Sequence, residues 1–362
     1  MTELSAMPML FQPLALRAVT ARNRIMISPM CQYCANDGVP DDWHFVHLGS
    51  RAVGGAGIVM TEATAVEPIG RITPYDLGLW NDEQEAAFAR IAAFIAKQGA
   101  LPGIQLAHAG RKASHLRPWE GRRPLLKEEG GWDVVGPSPL PWAEGDLVPH
   151  ELTVAEIAAL VEKYRLSAER GLRAGFKIVE IHAAHGYLLH SFLSPLSNQR
   201  KDEYGGAIER RARLLIEVVA AVRSVWPAEF PLFVRVSATD WADGGWKVED
   251  TVLLARELGS RGVDVIDCSS GGTVPEQQIP NEPGYQVPLA EIVRRDAGVK
   301  SAAVGLISTA TQAEEVLNRG QADLVVLGRI ALWDPYWPYH AAKELGVKLE
   351  MPIQYARSGI YA

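Results

Sequence analysis

The sequence predicts an α/β fold, a single (β/α)8 TIM barrel, and three observations support this prediction. Eight short apolar segments alternate with amphipathic helical segments along the chain. The apolar segments are rich in Val, Ile, Leu and Ala, which is typical of parallel strands covered on both faces. A length of 362 residues suits one barrel with inserted loops, so we expect residues 1–362 to form one domain.

The predicted strands and helices follow each other in strict alternation. The strands are predicted at residues 25–28, 57–61, 103–106, 177–182, 232–236, 263–268, 301–304 and 324–327. The helices are predicted at residues 44–54, 82–98, 153–174, 208–226, 248–261, 289–297, 309–319 and 335–345. An open doubly wound sheet is the alternative architecture, but it usually has fewer strands and its glycine fingerprint is absent from this sequence.

One segment interrupts the alternation. Residues 110–150, which follow the third predicted strand, are rich in Gly, Pro and Trp. A long insertion at this position lies over the C-terminal face of a barrel, where active sites are built. We predict that it caps the site and contains a short hairpin around residues 132–136.

The composition excludes several classes of protein. Lys and Arg total 36 against 43 Asp and Glu, a net charge of −7, so nucleic acid and anionic membranes are poor partners. No apolar run approaches the roughly 20 residues of a membrane span, and no export signal is recognisable. Three cysteines do not make a disulfide framework. We therefore expect a cytoplasmic protein.

Small and charged residues follow the last two predicted strands, where TIM barrels often bind phosphate. Gly305 follows the seventh strand, and Gly328 and Arg329 follow the eighth. Glycines let backbone N–H groups approach an anion, and the arginine supplies positive charge. The sequence therefore predicts a phosphate site, with a packing glycine beside a solvated arginine as the alternative. Other strands bring polar residues to the same rim, among them Ser28, Gln105 and Arg235.

Three groups able to donate protons follow the fourth predicted strand. His182 ends this strand, and His185 and Tyr187 come three and five residues later. In one tight loop all three side chains could face one pocket. The alternative is a metal pair in a metal-dependent hydrolase on the same fold, but zinc needs a third protein ligand, for which His108 is the candidate.

The cysteines after the first strand form a C-x-x-C motif, Cys31 and Cys34. Such a motif can bind zinc or act as a dithiol. Zinc is disfavoured because no second pair exists, and dithiol chemistry prefers a helix N-terminus to the end of a strand. We predict no functional disulfide here.

With these residues in place, the chain resembles the Old Yellow Enzyme family of flavin-dependent ene-reductases, and most closely its class III, or thermophilic-like, branch. The resemblance covers nearly the whole chain. Its marks are Asn23-Arg24, Pro29-Met30-Cys31-Gln32-Tyr33, Gln105 to Lys112, His182 to Tyr187, Asp202 to Gly206 with Arg210-Arg211, and Leu327-Gly328-Arg329.

The resemblance implies a non-covalent FMN on the barrel rim and NADPH or NADH as hydride donor, in a ping-pong mechanism that reduces activated alkenes. His182 and His185 would donate hydrogen bonds to the substrate carbonyl, Tyr187 or water would supply a proton, Cys31 would tune the flavin, and Tyr33 would hold the substrate oxygen. The FMN contacts implied are Ser28, Pro29, Met30, Cys31, Ala63, Gln105, His182, Arg235, Gly305, Gly328, Arg329 and Arg357.

The resemblance also implies an assembly. The tail at residues 350–362 is similar to one that crosses a subunit interface in this branch, and Arg357 is the arginine that would reach the neighbouring site. We expect a homodimer or a dimer of dimers. A frayed terminus is the alternative for this segment.

Overall fold

The computed structural model describes residues 7–121 and 123–358, and these residues form a closed barrel surrounded by helices. Within them the strands are β1 (Leu14–Leu16), β2 (Val19–Ala21), β3 (Ile25–Ile27), β4 (Ile58–Ala65), β5 (Leu101–Ala107), β6 (Val135–Gly136), β7 (His150–Glu151), β8 (Ile178–Ala183), β9 (Leu232–Ser237), β10 (Val265–Ser269), β11 (Lys300–Ala303) and β12 (Leu324–Leu327). Eight of them close in the order β10-β11-β12-β3-β4-β5-β8-β9, and all neighbouring pairs are parallel. The predicted TIM barrel is confirmed.

The helices cover the outside of this barrel. In the described ranges they are α1 (Asp42–Val53), α2 (Asp82–Lys97), α3 (Val154–Arg173), α4 (Leu188–Leu193), α5 (Ile208–Arg211), α6 (Arg213–Val225), α7 (Val248–Ser260), α8 (Val287–Ala297), α9 (Ala310–Asn318), α10 (Arg329–Trp333) and α11 (Trp337–Glu344). Side-chain caps fix several starts: the Thr153 hydroxyl accepts from the Glu156 N–H at α3, which completes the predicted capping box. None of these helices is both long and apolar enough to cross a bilayer.

The barrel interior is layered because alternate residues of each strand point inward. The lowest layer is apolar and includes Ile178 of β8, Phe233 of β9 and Val265 of β10. The antiparallel pair β1 and β2 packs Leu14 and Leu16 into this same cluster and closes the N-terminal end. The sequence prediction missed this pair because two strands of three residues show no measurable periodicity.

Other differences from the predicted elements are local. The helix predicted at residues 208–226 is divided by a single turn residue, Ala212, into α5 and α6. The second barrel strand extends four residues beyond its predicted end at Thr61 and contains a register shift between Met60 and Ala63. Two short helices, α4 and α10, follow strand ends and were not predicted.

The insertion after β5 caps the C-terminal face, as predicted, but the prediction of a hairpin around residues 132–136 is wrong. Residues 135–136 pair in parallel with residues 150–151, which are 15 residues later along the chain. A hairpin requires antiparallel neighbours, and here the backbone instead returns in the same direction through a long loop. The insertion also contains three short 3-10 turns, at Gly110–Lys112, Pro118–Glu120 and Lys127–Glu129.

Candidate active site

The loop after β8 gathers the three predicted proton-donating side chains. His182 lies near the end of β8, and the chain then turns through His185 and Gly186, both in the left-handed region with φ of 61° and 73°. The ring centroids of His182 and His185 are 5.1 Å apart, and Tyr187 lies 5.2 Å from His182 and 6.5 Å from His185. All three rings meet edge to face. The predicted grouping is therefore present in the structure.

Both imidazoles of this group are neutral at pH 7. Burial is the main cause, and the positive charges of Arg235 and Lys112 add to it, so the pKa of His182 and that of His185 lie well below the usual value for histidine. His182 Nδ1 has no hydrogen-bond partner in the described part of the chain. His185 Nε2 lies 2.7 Å from Ser269 Oγ. Each ring can present an N–H without bringing a full positive charge.

A buried contact between His190 and Asp240 holds the turn in place. His190 Nδ1 accepts from the Gly186 N–H at 2.8 Å, and His190 Nε2 lies 3.1 Å from Asp240 Oδ1. Asp240 also accepts from the hydroxyls of Ser194 at 2.6 Å and Thr273 at 2.7 Å. Burial alone would raise the pKa of Asp240, but His190 and these hydroxyls lower it to about 2. The carboxylate is therefore ionised, and the left-handed turn is anchored to the loops after β9 and β10.

Beneath the two imidazoles the barrel contains a cation. Arg235 is 5% exposed, and its Nη1 donates to Ser28 Oγ at 2.9 Å and lies 3.4 Å from Asp267 Oδ2. Its Nε has no hydrogen-bond partner among the described residues. Gln105 on β5 is buried as well and donates from Nε2 to Glu180 Oε1 at 2.8 Å. The predicted residues Ser28, Gln105 and Arg235 thus share the barrel interior.

The predicted phosphate residues line one cavity of about 440 Å³. Gly305, Gly328 and Arg329 lie together there, after β11 and β12. The φ of 129° at Gly305 belongs to the region that favours glycine, and a Cβ added at Gly328 would meet no atom within 4 Å. The cavity also has polar walls that the sequence analysis missed, including Ser269, Asn281, Tyr285 and Gln286.

The insertion forms a roof over the other side of the site. A smaller cavity of about 110 Å³ is lined by Tyr33 and Tyr187 from below and by Lys112, Trp142 and Asp146 of the insertion from above. Lys112 Nζ donates to the backbone carbonyls of His185 at 2.8 Å and Gly272 at 3.0 Å. Its ammonium also lies 4.6 Å from the centre of the Trp142 ring. Lys112 therefore connects the insertion to two active-site loops.

The segment after β3 completes the rim. Pro29 and Met30 are half-buried there, and the Cys31 thiol contacts Tyr33. Burial, assisted by the charges of Glu62 and Asp76, raises the pKa of Cys31 well above its usual value, so the thiol stays protonated. Ala63 and Tyr187 line a common recess beside this segment.

Comparison with known proteins identifies the family. The family model of the NADH:flavin oxidoreductase / NADH oxidase family matches residues 9–348. The chain belongs to this family. It is an NAD(P)H-dependent flavin oxidoreductase that uses FMN. The predicted enzyme class and cofactors are confirmed.

The relatives of this flavin oxidoreductase agree with that placement. The chain is 48% identical over 350 residues to the NADPH dehydrogenase of Geobacillus thermodenitrificans, which covers 96% of this chain and 98% of the relative. Morphinone reductase in complex with tetrahydroNAD superposes with a TM-score of 0.78 at 30% identity, covering 95% of this chain and 93% of that one. The old yellow enzyme homologue from Zymomonas mobilis has a TM-score of 0.78 at 26% identity, with 96% of each chain covered. The predicted resemblance to the Old Yellow Enzyme family is confirmed, while the class III branch stays a prediction.

The residues present fit an FMN site. Nδ1 of His182 and Nε of Arg235 are buried polar atoms that lack a protein hydrogen-bond partner in the described ranges. The glycine-lined cavity has room for a phosphate group and places Arg329 beside it. In these residues the chain offers donors for a polar ring system at one end and an anion cradle at the other.

Two of the sequence-based alternatives lose support. Among the described residues, no third His, Cys, Asp or Glu lies close enough to join His182 and His185 in a metal-ligand set. His108 faces Glu67, with His108 Nε2 3.3 Å from Glu67 Oε1, so it is directed elsewhere. Cys31, Cys34 and Cys268 are all unpaired. Arg357 lies on an exposed 3-10 turn, Ile353–Ser358, and lines neither cavity of the site.

Proposed function

We propose that this flavin oxidoreductase is an ene-reductase that reduces the C=C bond of α,β-unsaturated carbonyl compounds with NAD(P)H. The observation that carries the proposal is the pair of neutral imidazoles, His182 and His185, beside the phenol of Tyr187 under one roof. A site for simple flavin reduction needs no such convergence of donors. An enone needs it, because negative charge develops on its carbonyl oxygen as the β-carbon receives hydride.

The two histidines bind and polarise the substrate. Their N–H groups donate to the carbonyl oxygen, and the low pKa of both rings keeps them as hydrogen-bond donors that do not lose a full charge during the reaction. FMN would be held by Arg235 and Gln105 at its ring and by Arg329 at its phosphate, and when bound it would supply the hydride chemistry between NAD(P)H and the β-carbon of the alkene. Ser269 positions His185 through its contact of 2.7 Å with Nε2.

Tyr187 is placed to supply the proton for the α-carbon. It shares the roof cavity with Tyr33 and Lys112, so its phenol faces the same space as the bound substrate. The Lys112 ammonium lies 5.2 Å from the centre of the Tyr187 ring. Water can replace the transferred proton from the open side of the cavity.

We propose a ping-pong cycle, because Tyr33, Tyr187 and Lys112 line a single recess that both the nicotinamide and the alkene would have to use. In this order NAD(P)H binds and leaves before the alkene enters. Initial rates at several alkene concentrations should give parallel double-reciprocal lines, and intersecting lines would contradict this order.

The experiment that tests the function uses a His182→Ala/His185→Ala variant. We expect NADPH-driven reduction of 2-cyclohexenone to fall by about 10²–10³-fold, because removing one such donor already costs that much in other sites. FMN content and the rate of flavin reduction by NADPH, measured by stopped flow, report separately on cofactor binding.

The matched control is His340→Ala, which removes an exposed histidine paired with Asp334. It should keep full activity. If the double variant reduces the enone at the wild-type rate while FMN is bound, the proposed roles of His182 and His185 are wrong.

We also propose that the chain forms a single domain, belongs to the class III branch and acts in the cytoplasm. We propose in addition that it assembles as a homodimer or a dimer of dimers. Exposed apolar side chains support an interface: Trp333 is 87% exposed, Ile353 81% and Trp43 59%. Arg357 lies on the same tail as Ile353 and would enter a neighbouring site. Light scattering after size exclusion tests the assembly, and an Arg357→Ala variant with an unchanged KM for alkene would contradict the role of the arginine.

A further inference from the structure

The layer of side chains directly below His182 is charged, although it lies inside the barrel. Glu180 is two residues before His182 on β8, and Asp267 of β10 is paired in register with Arg235 of β9. Glu180 and Asp267 are fully buried and Arg235 is 5% exposed. Gln105 donates to Glu180 Oε1, whereas Arg235 Nη1 lies 3.4 Å from Asp267 Oδ2. The layer thus contains two buried carboxyl groups and one guanidinium, which contacts Asp267.

The hydrogen bonds of this layer are incomplete. Within residues 7–121 and 123–358, Glu180 Oε2, both Asp267 oxygens and Arg235 Nε have no hydrogen-bond partner. If both carboxyl groups were ionised, the layer would hold an uncompensated negative charge away from water, which is costly. One carboxyl group therefore keeps a proton. The contacts indicate which one, because Asp267 faces the guanidinium and Glu180 faces only the neutral amide of Gln105.

The pKa directions agree with this assignment. Burial and the charge of Asp267 raise the pKa of Glu180 to about 8, against the opposing effects of Arg235 and Gln105. Burial also raises the pKa of Asp267, and Arg235 opposes that rise. Other titratable or charged groups around the layer include His182, His185, His190, Lys112, Cys268 and Tyr285.

We propose that the Glu180–Asp267 pair sets the reduction potential of the bound FMN, because ionised Asp267 competes with the reduced flavin for the charge of Arg235. The inference rests on the proposed function, since it needs FMN beside Arg235. Reduction brings two electrons and a proton to the cofactor as hydride from NAD(P)H, and the pair itself exchanges no electrons. Asp267 acts through Arg235 and is therefore a positioning residue. Protonated Glu180 adds no competing charge until it loses its proton.

The test measures the potential of the FMN-loaded protein between pH 6 and pH 9. In Asp267→Asn, reduced FMN should gain about tenfold in affinity over oxidised FMN, which is about 30 mV for a two-electron couple. In Glu180→Gln the potential should match the wild type within the equivalent of about twofold at pH 7. Above pH 8 the wild-type potential should fall below that of Glu180→Gln, because only the wild type gains a second buried negative charge.

Asp264→Asn is the matched control. Asp264 lies just before the same strand, β10, but pairs with Arg17 at the opposite end of the barrel, so its loss should leave the potential unchanged. The apoprotein provides a second readout without flavin. When the pKa of a carboxyl group is higher in the folded than in the unfolded protein, the protein becomes less stable as pH rises from the unfolded pKa towards the folded pKa of about 8. The unfolding free energy should therefore fall more steeply with pH in the wild type than in Glu180→Gln.

The outcomes separate this inference from the proposed function. FMN-loaded Asp267→Asn with an unchanged or lower potential would overturn the inference alone, and so would a Glu180→Gln shift at pH 7 as large as that of Asp267→Asn. If Asp267→Asn does not fold, the comparison of wild type with Glu180→Gln from pH 7 to pH 9 still decides, because equal potentials throughout would also overturn it. A wild-type protein that binds no FMN would overturn the proposed function first.

Discussion

The lower and upper halves of the barrel interior are made by the same eight strands, yet one is lined by apolar side chains and the other by charged ones. In the lower half, Ile178, Phe233 and Val265 pack against β1 and β2, and no charge is present in that cluster. In the upper half, the next inward positions of the same strands carry Glu180, Arg235 and Asp267, with several buried atoms unpartnered.

The difference shows how one scaffold separates stability from chemistry. Burial of apolar surface stabilises the lower half, while the upper half keeps polar groups whose missing partners the proposed FMN site would supply. Residues two positions apart on a strand therefore differ in what their replacement should change. Three predictions follow this contrast from the largest effect to the smallest.

The largest loss of stability is expected in the lower half. Phe233→Ala removes a fully buried ring from the floor of the barrel and should lower the unfolding free energy by about 3–5 kcal/mol. Chemical denaturation of the FMN-free protein measures this loss. Phe230→Ala, which truncates a half-buried ring three residues earlier, is the control and should cost clearly less. Equal losses of unfolding free energy in the two variants would contradict the prediction that the lower layer of the barrel contributes more stability.

An intermediate effect is expected at Asp240, which contacts His190 beside the turn formed by His185 and Gly186. Asp240→Asn removes a carboxylate whose pKa is about 2 in the folded protein against an ordinary 3.8, which corresponds to about 2 kcal/mol of stability. A lowered folded pKa contributes stability above pH 4, and that stability is lost as pH falls from about 4 to about 2. The difference in unfolding free energy between wild type and Asp240→Asn should therefore become smaller as pH falls through that range. Thermal unfolding at several pH values measures this difference.

Asp243→Asn is the control for this pH dependence. Asp243 is exposed on the same loop, and its replacement should change stability by less than about 0.5 kcal/mol at every pH. The alkene KM of Asp240→Asn should also rise, because His190 no longer holds Gly186 firmly. A wild-type KM would show that the turn keeps its shape without the contact between His190 and the Asp240 carboxylate.

The smallest effect is expected at an unpartnered group outside the site. Tyr164 on α3 has a buried hydroxyl without a hydrogen-bond partner among the described residues, and burial raises its pKa. Tyr164→Phe should be neutral or stabilising by up to about 1 kcal/mol, since it removes a desolvated group. Tyr204→Phe should instead be destabilising, because the Tyr204 hydroxyl donates to Glu217 at 2.9 Å. Denaturation curves of both variants compare a buried hydroxyl without a hydrogen-bond partner among the described residues with one that donates a hydrogen bond.

The sequence was sufficient to predict the barrel because each barrel strand is an apolar run between two amphipathic helices. It also predicted the gathering of His182, His185 and Tyr187, since five residues in one turn cannot separate far. The antiparallel pair at the floor and the parallel pair in the insertion were not predictable, because each depends on segments of two or three residues whose partners are chosen by tertiary packing.

The remaining site residues come from long-range contacts that a single sequence does not reveal. Asp240 meets His190 across 50 residues, and Gln286 meets Ser270 across 16. Glu180 and Asp267 gave a signal that was overlooked, because each is a carboxylate directly after Val or Ile in a segment that was predicted as a buried strand. Such a residue has to meet a counter-ion or keep a proton, and Arg235 lies on the strand between them.

The bond from Lys112 to the carbonyls of His185 and Gly272 has a consequence for admission of bulky reactants. It fastens the root of the insertion to the catalytic turn, so we expect the entrance to widen by displacement of the outer segment that carries Trp119, which is 63% exposed. For the proposed function, this arrangement would let the entrance accept reactants of different bulk while the turn that carries His182 and His185 keeps its shape.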